Sequence, residues 1–178
     1  ITGGIHGKAQ APYLPVTPEE QADSAYEAYK AGASMVHIHA RDPKTGYETN
    51  ATQASDFYKV NHLIRERCPD IIINDTGSSI FFYETEEEMS RFFAECKPEV
   101  ASLDVGMLYM VNRLKAQPET RDMFIQEMKK HPFVLEVEEG EEGMLHVETL
   151  APLGYSKTEK FARAMRKNGV KPEIEVFS

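Results

Sequence analysis

The chain is poor in cysteine: only Cys68 and Cys96 occur in 178 residues, with no close spacing. That scarcity excludes a disulfide framework and a cysteine-rich zinc ribbon, and it makes a reducing cytoplasm the expected compartment. Long apolar runs are missing too. Nothing approaches the roughly 18 residues of a membrane span, and Ile1 to Gln10 has none of the features of a signal peptide. Basic residues are outnumbered, 20 against 29 acidic, and the net charge of -9 opposes nucleic acid and anionic membranes as partners. No glycine-rich dinucleotide fingerprint follows the first strand. An initiator Met is also absent, and Ile1-Thr2-Gly3-Gly4 reads as the end of a strand running into a glycine turn. Residues are therefore expected upstream.

What is present suits one domain, since single domains commonly run about 100 to 200 residues. The informative stretch is Met35-Val36-His37-Ile38-His39-Ala40-Arg41-Asp42-Pro43. Side chains alternate along a strand, so Met35, His37 and His39 share one face while Val36, Ile38 and Ala40 share the other. Paired imidazoles need polar partners, because buried nitrogens without them are costly. They either hydrogen-bond to neighbours or chelate a zinc-sized cation with a further ligand from elsewhere; the i, i+2 pairing before a polar loop favours the metal.

Elsewhere, helix and strand signals alternate. Thr17-Pro18-Glu19-Glu20 and Thr85-Glu86-Glu87-Glu88 carry capping boxes, and Ser156-Lys157-Thr158-Glu159 reads as another capped start. A helix is predicted from about Ser55 to Arg67, with strands at 71–73, 100–106 and 172–177. The stretch 107–150 is less regular, with a helix near 119–130 and a solvated hairpin around an acidic run at 138–143. A Lys-Pro-Glu echo at 97–99 and 171–173 suggests a repeated unit. Alternation of this kind points to a parallel α/β sheet. Polar residues gather at strand ends, at His37 and His39, Asp75 and Thr76, Ser102 and Asp104, and Glu175. Those positions line the active-site mouth of a TIM (β/α)8 barrel. The chain supplies about five such strands, whereas a whole barrel takes about 250 residues. It is therefore read as one partial barrel domain, with an insertion at about 107–150, from a longer polypeptide.

The ordered set of Ile1-Thr2-Gly3-Gly4, Pro12 to Glu20, the His-Ile-His-Ala-Arg-Asp-Pro core, Lys97 to Gly106 and Gly169 to Phe177 resembles the β-keto acid cleavage enzymes. The resemblance implies a TIM barrel holding a divalent metal, usually zinc, through His37 and His39, with a Glu from a late strand as third ligand. It implies transfer of an acyl group between a β-keto acid and acetyl-CoA, giving acetoacetate and a new acyl-CoA, by a cytoplasmic homo-oligomer, a tetramer by resemblance. Ile5, Thr76, Ser79, Ser102 and Asp104 match substrate-holding positions, and Glu175 and Asp104 are the candidate catalytic carboxylates. The third ligand, an Arg and the general base of the family have no counterpart before Ser178.

Two readings stand beside this one: another metal-dependent barrel hydrolase or lyase, and a catalytically silent relative acting as an interaction subunit. Thr76 and Ser102 are equally read as satisfying buried backbone groups, and Arg41 with Asp42 as a structural loop pair. His6, His62, His131 and His146 are read as incidental. Ile5 stands where the aminohexanoate enzyme has a Glu for the substrate amine, which disfavours a cationic substrate and favours a neutral or anionic one. With the full-length protein, a β-keto acid panel is expected to show the amino acid turned over more slowly than neutral or anionic analogues. The amino substrate proving fastest overturns that expectation.

Overall fold

The structure is a computed structural model that describes residues 1–4, 6–48, 53–77, 83–116, 118–131 and 133–176. Helix α1 (Pro18–Lys30) begins at a reciprocal cap: Thr17 Oγ1 accepts from Glu20 N at 3.2 Å while Glu20 Oε2 accepts from Thr17 N at 3.0 Å. Helix α3 (Glu86–Cys96) starts the same way, through Thr85 and Glu88. Such caps typically contribute about 1 kcal/mol each. Between them lie strand β1 (Met35–Ile38), helix α2 (Ala54–Arg67) and strand β2 (Ile72–Asp75).

Strand β3 (Val100–Lys115) is much longer than the sequence predicts. Its first half is parallel to β2, and its second half, past Gly106, runs antiparallel to a later strand. Gly106 sits at the junction with φ +93°, a left-handed conformation that side-chain-bearing residues rarely adopt. The sequence reading stopped the strand at this glycine, taking a change of direction for an end. After β3 come helix α4 (Arg121–Lys130) and a hairpin of strands β4 (Val134–Glu139) and β5 (Met144–Leu153). Helix α5 (Tyr155–Lys167) and strand β6 (Lys171–Val176) complete the described chain. Ser156 does not cap α5; Gly154 occupies that position, with no side-chain cap bond.

Two sheets therefore share β3. The parallel one runs β1-β2-β3-β6, and the antiparallel ribbon continues through β5 to β4. The parallel strands lie side by side in chain order, as in a barrel, but the sheet is open and its described strands number fewer than the sequence count. Ile1 and Thr2 form no strand, although the main-chain nitrogen of Ile1 donates to His37 O at 3.1 Å. The Lys-Pro-Glu echo does not mark equivalent positions. Lys97 ends α3 with φ +52°, whereas Lys171 and Pro172 already pair with Val100 and Ala101 inside the sheet.

One face of the parallel sheet is covered by α1, α2, α3 and α5. Val36, Ile38, Ile73, Ala101 and Leu103 from the strands pack there against Phe57, Ile64, Phe92, Phe93, Phe161 and Met165 from the helices. A second cluster docks the ribbon onto the loop after β1: Tyr47 is buried among Leu114, Phe124, Leu145 and Val147. Its hydroxyl donates to Lys115 O at 3.1 Å.

Asp75 belongs to the helix side of the sheet, not to the mouth at which the sequence reading placed it. Asn61 Nδ2 donates to Asp75 Oδ2 at 2.9 Å and to Cys96 O at 3.0 Å. Burial pushes this carboxyl up to about 8, so the native state keeps a proton that the unfolded chain releases near 4. Native stability conferred by that proton is full below pH 4 and falls as pH rises to about 8, by at most about 1.4 kcal/mol per pH unit. Asp75→Asn is expected to remove this fall, so that its advantage over the parent grows between pH 4 and 8. Urea midpoints across that range check it, and parallel curves would contradict the assignment.

Candidate metal and active site

The face of the parallel sheet away from the helices carries the chemistry. Alternation along β1 buries Val36, Ile38 and Ala40 and leaves His37 and His39 half-buried on the opposite side. The two Nε2 atoms lie 3.2 Å apart. Two nitrogens about 2.0–2.1 Å from one zinc-sized ion at a tetrahedral angle would be separated by about 3.3 Å, so the pair fits a single cation. Burial, then the neighbouring imidazole, lowers the pKa of His37, which favours the neutral, ligating ring.

Glu48 sets the orientation of His39. Its Oε2 lies 2.5 Å from His39 Nδ1, so that nitrogen donates to the carboxylate and Nε2 keeps its lone pair. The sequence reading missed Glu48 because it belongs to a loop after a turn, where no periodicity aims a side chain. That turn is built by Asp42, whose carboxylate accepts from Lys44 N at 3.1 Å and Thr45 Oγ1 at 2.9 Å. Arg41 holds the other side of the site. It donates to His6 O at 2.9 Å and Thr2 Oγ1 at 2.8 Å, and also to the carbonyls of Gly3, Gly4 and Gly46. Burial lowers its pKa to about 10, and the guanidinium stays charged at neutral pH. Arg41 and Asp42 thus each organise backbone, and among the described residues they do not pair with each other.

Strands β3 and β6 bring carboxylates towards the histidines. Asp104 pairs in register with Glu175, and Ser102 with Glu173. His37, Glu173 and Glu175 each offer a ligand atom, all within 4.8 Å of one another. Glu173 was not among the predicted site residues, although its i, i+2 spacing from Glu175 carries the same signal as the histidine pair. Asp104 Oδ1 is buried without a hydrogen-bond partner among the described residues. Burial, reinforced by the charge of Glu175, pushes the Asp104 carboxyl up to about 6.

Thr76 lines the same cleft at the end of β2. Ser102 is buried and turned to the backbone, its Oγ accepting from Gly77 N at 2.7 Å. A Cβ at Gly77 would meet Ser102 O at 2.2 Å, so the loop closes on the strand only with glycine there. Ile5 and Ser79 lie outside the described residues.

The cleft, about 380 Å³, extends from these groups along the ribbon to α4. Its described lining contains Glu48, Asp104 and Glu175 but no Lys or Arg. An anionic substrate entering such an acidic end needs a cation there. His131, read from sequence as incidental, also lines the cleft, with Nδ1 accepting from Phe133 N at 3.2 Å. Burial lowers its pKa to about 4.

A family model described as beta-keto acid cleavage enzyme matches residues 1–178. The chain is 38% identical over 107 residues to a 3,5-dioxohexanoate:acetyl-CoA acetone transferase of Paraburkholderia graminis, covering 60% of the chain and 33% of that protein. It is 33% identical over 126 residues to a 3-dehydrocarnitine:acetyl-CoA trimethylamine transferase of Rhizobium meliloti, covering 61% and 41%. A 3-keto-5-aminohexanoate cleavage enzyme of Fusobacterium nucleatum is 31% identical over 185 residues, covering 99% of the chain and 52% of the relative. The chain thus spans about half the length, or less, of these relatives. With the match extending from end to end, this chain belongs to the beta-keto acid cleavage enzyme family.

Proposed function

We propose that the full-length protein is a metal-dependent β-keto acid cleavage enzyme. It exchanges acyl groups so that R–CO–CH2–COO⁻ and acetyl-CoA give R–CO–S-CoA and acetoacetate. The observation that carries this reading is the convergence of His37 and His39 Nε2, 3.2 Å apart, on the carboxylate end of the cleft. A divalent metal bound there, zinc for preference, supplies the positive charge that polarises the β-carbonyl and offsets the charge developing as the C2–C3 bond breaks.

The chain's own residues divide the remaining work. His37 and His39 hold the metal, with Glu173 and Glu175 at hand for a further ligand position. Arg41 fixes the Gly3–Gly4 segment that forms one side of the cleft. Thr76, with Ile5 and Ser79 by family matching, faces the substrate, while Ser102 positions the loop through Gly77. Asp104, held at about 6, exchanges a proton near neutral pH, with Glu175 beside it. The rest of the polypeptide closes the four parallel strands into a (β/α)8 barrel. In this reading the protein is a cytoplasmic homo-oligomer.

The test is turnover by the full-length, metal-loaded protein of a β-keto acid panel, with acyl-CoA and acetoacetate identified by mass spectrometry. Equimolar formation of both supports the proposal. Cleavage without acetyl-CoA favours a hydrolase or lyase, and no turnover by the loaded protein overturns catalysis. His37→Ala and His39→Ala are each expected to abolish metal retention and activity together. Glu48→Gln, which keeps the shape but weakens the hold on His39, is expected to lower metal affinity about 10–100-fold in a chelator competition. Unchanged affinity would mean that Glu48 does not orient the ligand.

A further inference from the structure

The metal end accounts for only part of the cleft. Beyond Asp104, β3 turns at Gly106 and presents Leu108, Met110 and Leu114 on the cleft side. Opposite them in register, Ala151 faces Leu108 and Thr149 faces Met110 on β5. Phe124 of α4 lines the groove from the other side. At about 3.3 Å per residue, Leu108 stands some 13 Å along the strand from Asp104, so the groove leads away from the reacting end.

Three polar side chains, Asn112, Thr149 and His131, interrupt this wall among the described lining, and none of them carries a charge at neutral pH. Thr149 Oγ1 turns to its own ribbon, donating to Met110 O at 3.5 Å. His131 has Nδ1 occupied by Phe133 N and is held neutral by burial. No Lys or Arg among the described lining offers a partner for a second carboxylate. A carboxylate to receive an ammonium group is likewise missing from the described lining along the ribbon: the acidic lining residues, Glu48, Asp104 and Glu175, all sit at the metal end. A charged substituent would be desolvated there without a group of opposite charge beside it, whereas an alkyl chain loses only its contact with water.

We infer that the groove between the β3/β5 ribbon and α4 receives the alkyl chain of an apolar β-keto acid, and that Leu108, Met110 and Leu114 set its length preference. The inference rests on the reading of the metal end given above. It decides between the neutral and anionic substituents that the sequence left open, in favour of the neutral one. The groove is continuous with the histidine end, so a β-keto acid held there extends its substituent along the ribbon.

The experiment measures kcat/KM of the full-length, metal-loaded protein for 3-oxohexanoate, 3-oxooctanoate and 3-oxodecanoate, beside 3-oxoadipate and 3-oxo-5-aminohexanoate. Each buried methylene is worth a factor of about four, so the alkyl series is expected to rise by about that much per methylene. Met110→Lys is expected to flatten the series and raise the relative rate of 3-oxoadipate. Val111→Lys, on the exposed face of the same strand, is expected to leave the slope unchanged. A charged substrate proving fastest overturns the inference, as does a slope that survives Met110→Lys.

Calorimetric titration with the same three alkyl acids separates this inference from the function it rests on. Affinity that rises with chain length, with an increasingly negative heat-capacity change, supports the groove even if nothing is turned over. Turnover with length-independent binding keeps the function and sinks the groove assignment. Weakened acetyl-CoA binding in Met110→Lys, with the alkyl series intact, would assign the groove to the pantetheine arm and overturn the proposal.

Discussion

Everything at the candidate site depends on β1 facing two environments at once. Val36, Ile38 and Ala40 must pack into the helix layer, which leaves His37 and His39 no direction but the cleft. The register is fixed by apolar burial; the histidines inherit their position from it. A slip of one residue would bury both imidazoles against Phe57 and Ile64 and turn Val36 and Ile38 towards the carboxylates. The core and the site are thus one constraint seen from two sides of a four-residue strand.

The cleft exists because the ribbon is anchored to the loop that follows β1. Tyr47 occupies the centre of that contact, its ring tilted 44° against Phe124 with centroids 4.4 Å apart and its hydroxyl bonded to Lys115 O. One residue further on, Glu48 orients His39. A short turn therefore couples the position of the insertion to the geometry of the metal end, and Asp42 and Arg41 hold that turn in shape. Residues with no contact to a reacting atom decide whether the wall of the groove and the imidazole pair stand in register.

Periodicity and capping chemistry were legible in the sequence because both are local. Thr17 and Thr85 announce their helices through partners three residues away, and the alternation about His37 requires no knowledge of the rest of the fold. The long-range pairings were not legible. Glu48 meets His39 across a turn, Asn61 meets Asp75 across two elements, and His131 reaches the cleft only because the ribbon folds back over it. Gly106 misled for a physical reason: a positive φ ends many strands, but here the strand changes partners and continues. Leu108, Met110 and Leu114 alternate with polar or exposed neighbours. The period-2 signal was therefore present in a stretch that had been read as irregular.

Asp75 and Asp104 show what separates a structural carboxylate from a functional one. Both lie in adjacent strands of the parallel sheet, and burial raises the pKa of each, Asp75 to about 8 and Asp104 to about 6. The perturbation alone does not tell them apart. Their faces do. Asp75 points among helices, fully buried, where Asn61 meets it, so its proton is assigned to stability. Asp104 points into a cleft beside Glu175 and the imidazole pair, with one oxygen unpartnered. A carboxyl in that position can exchange its proton with something that enters, and opposite faces of one sheet, on adjacent strands, give the same functional group two different tasks.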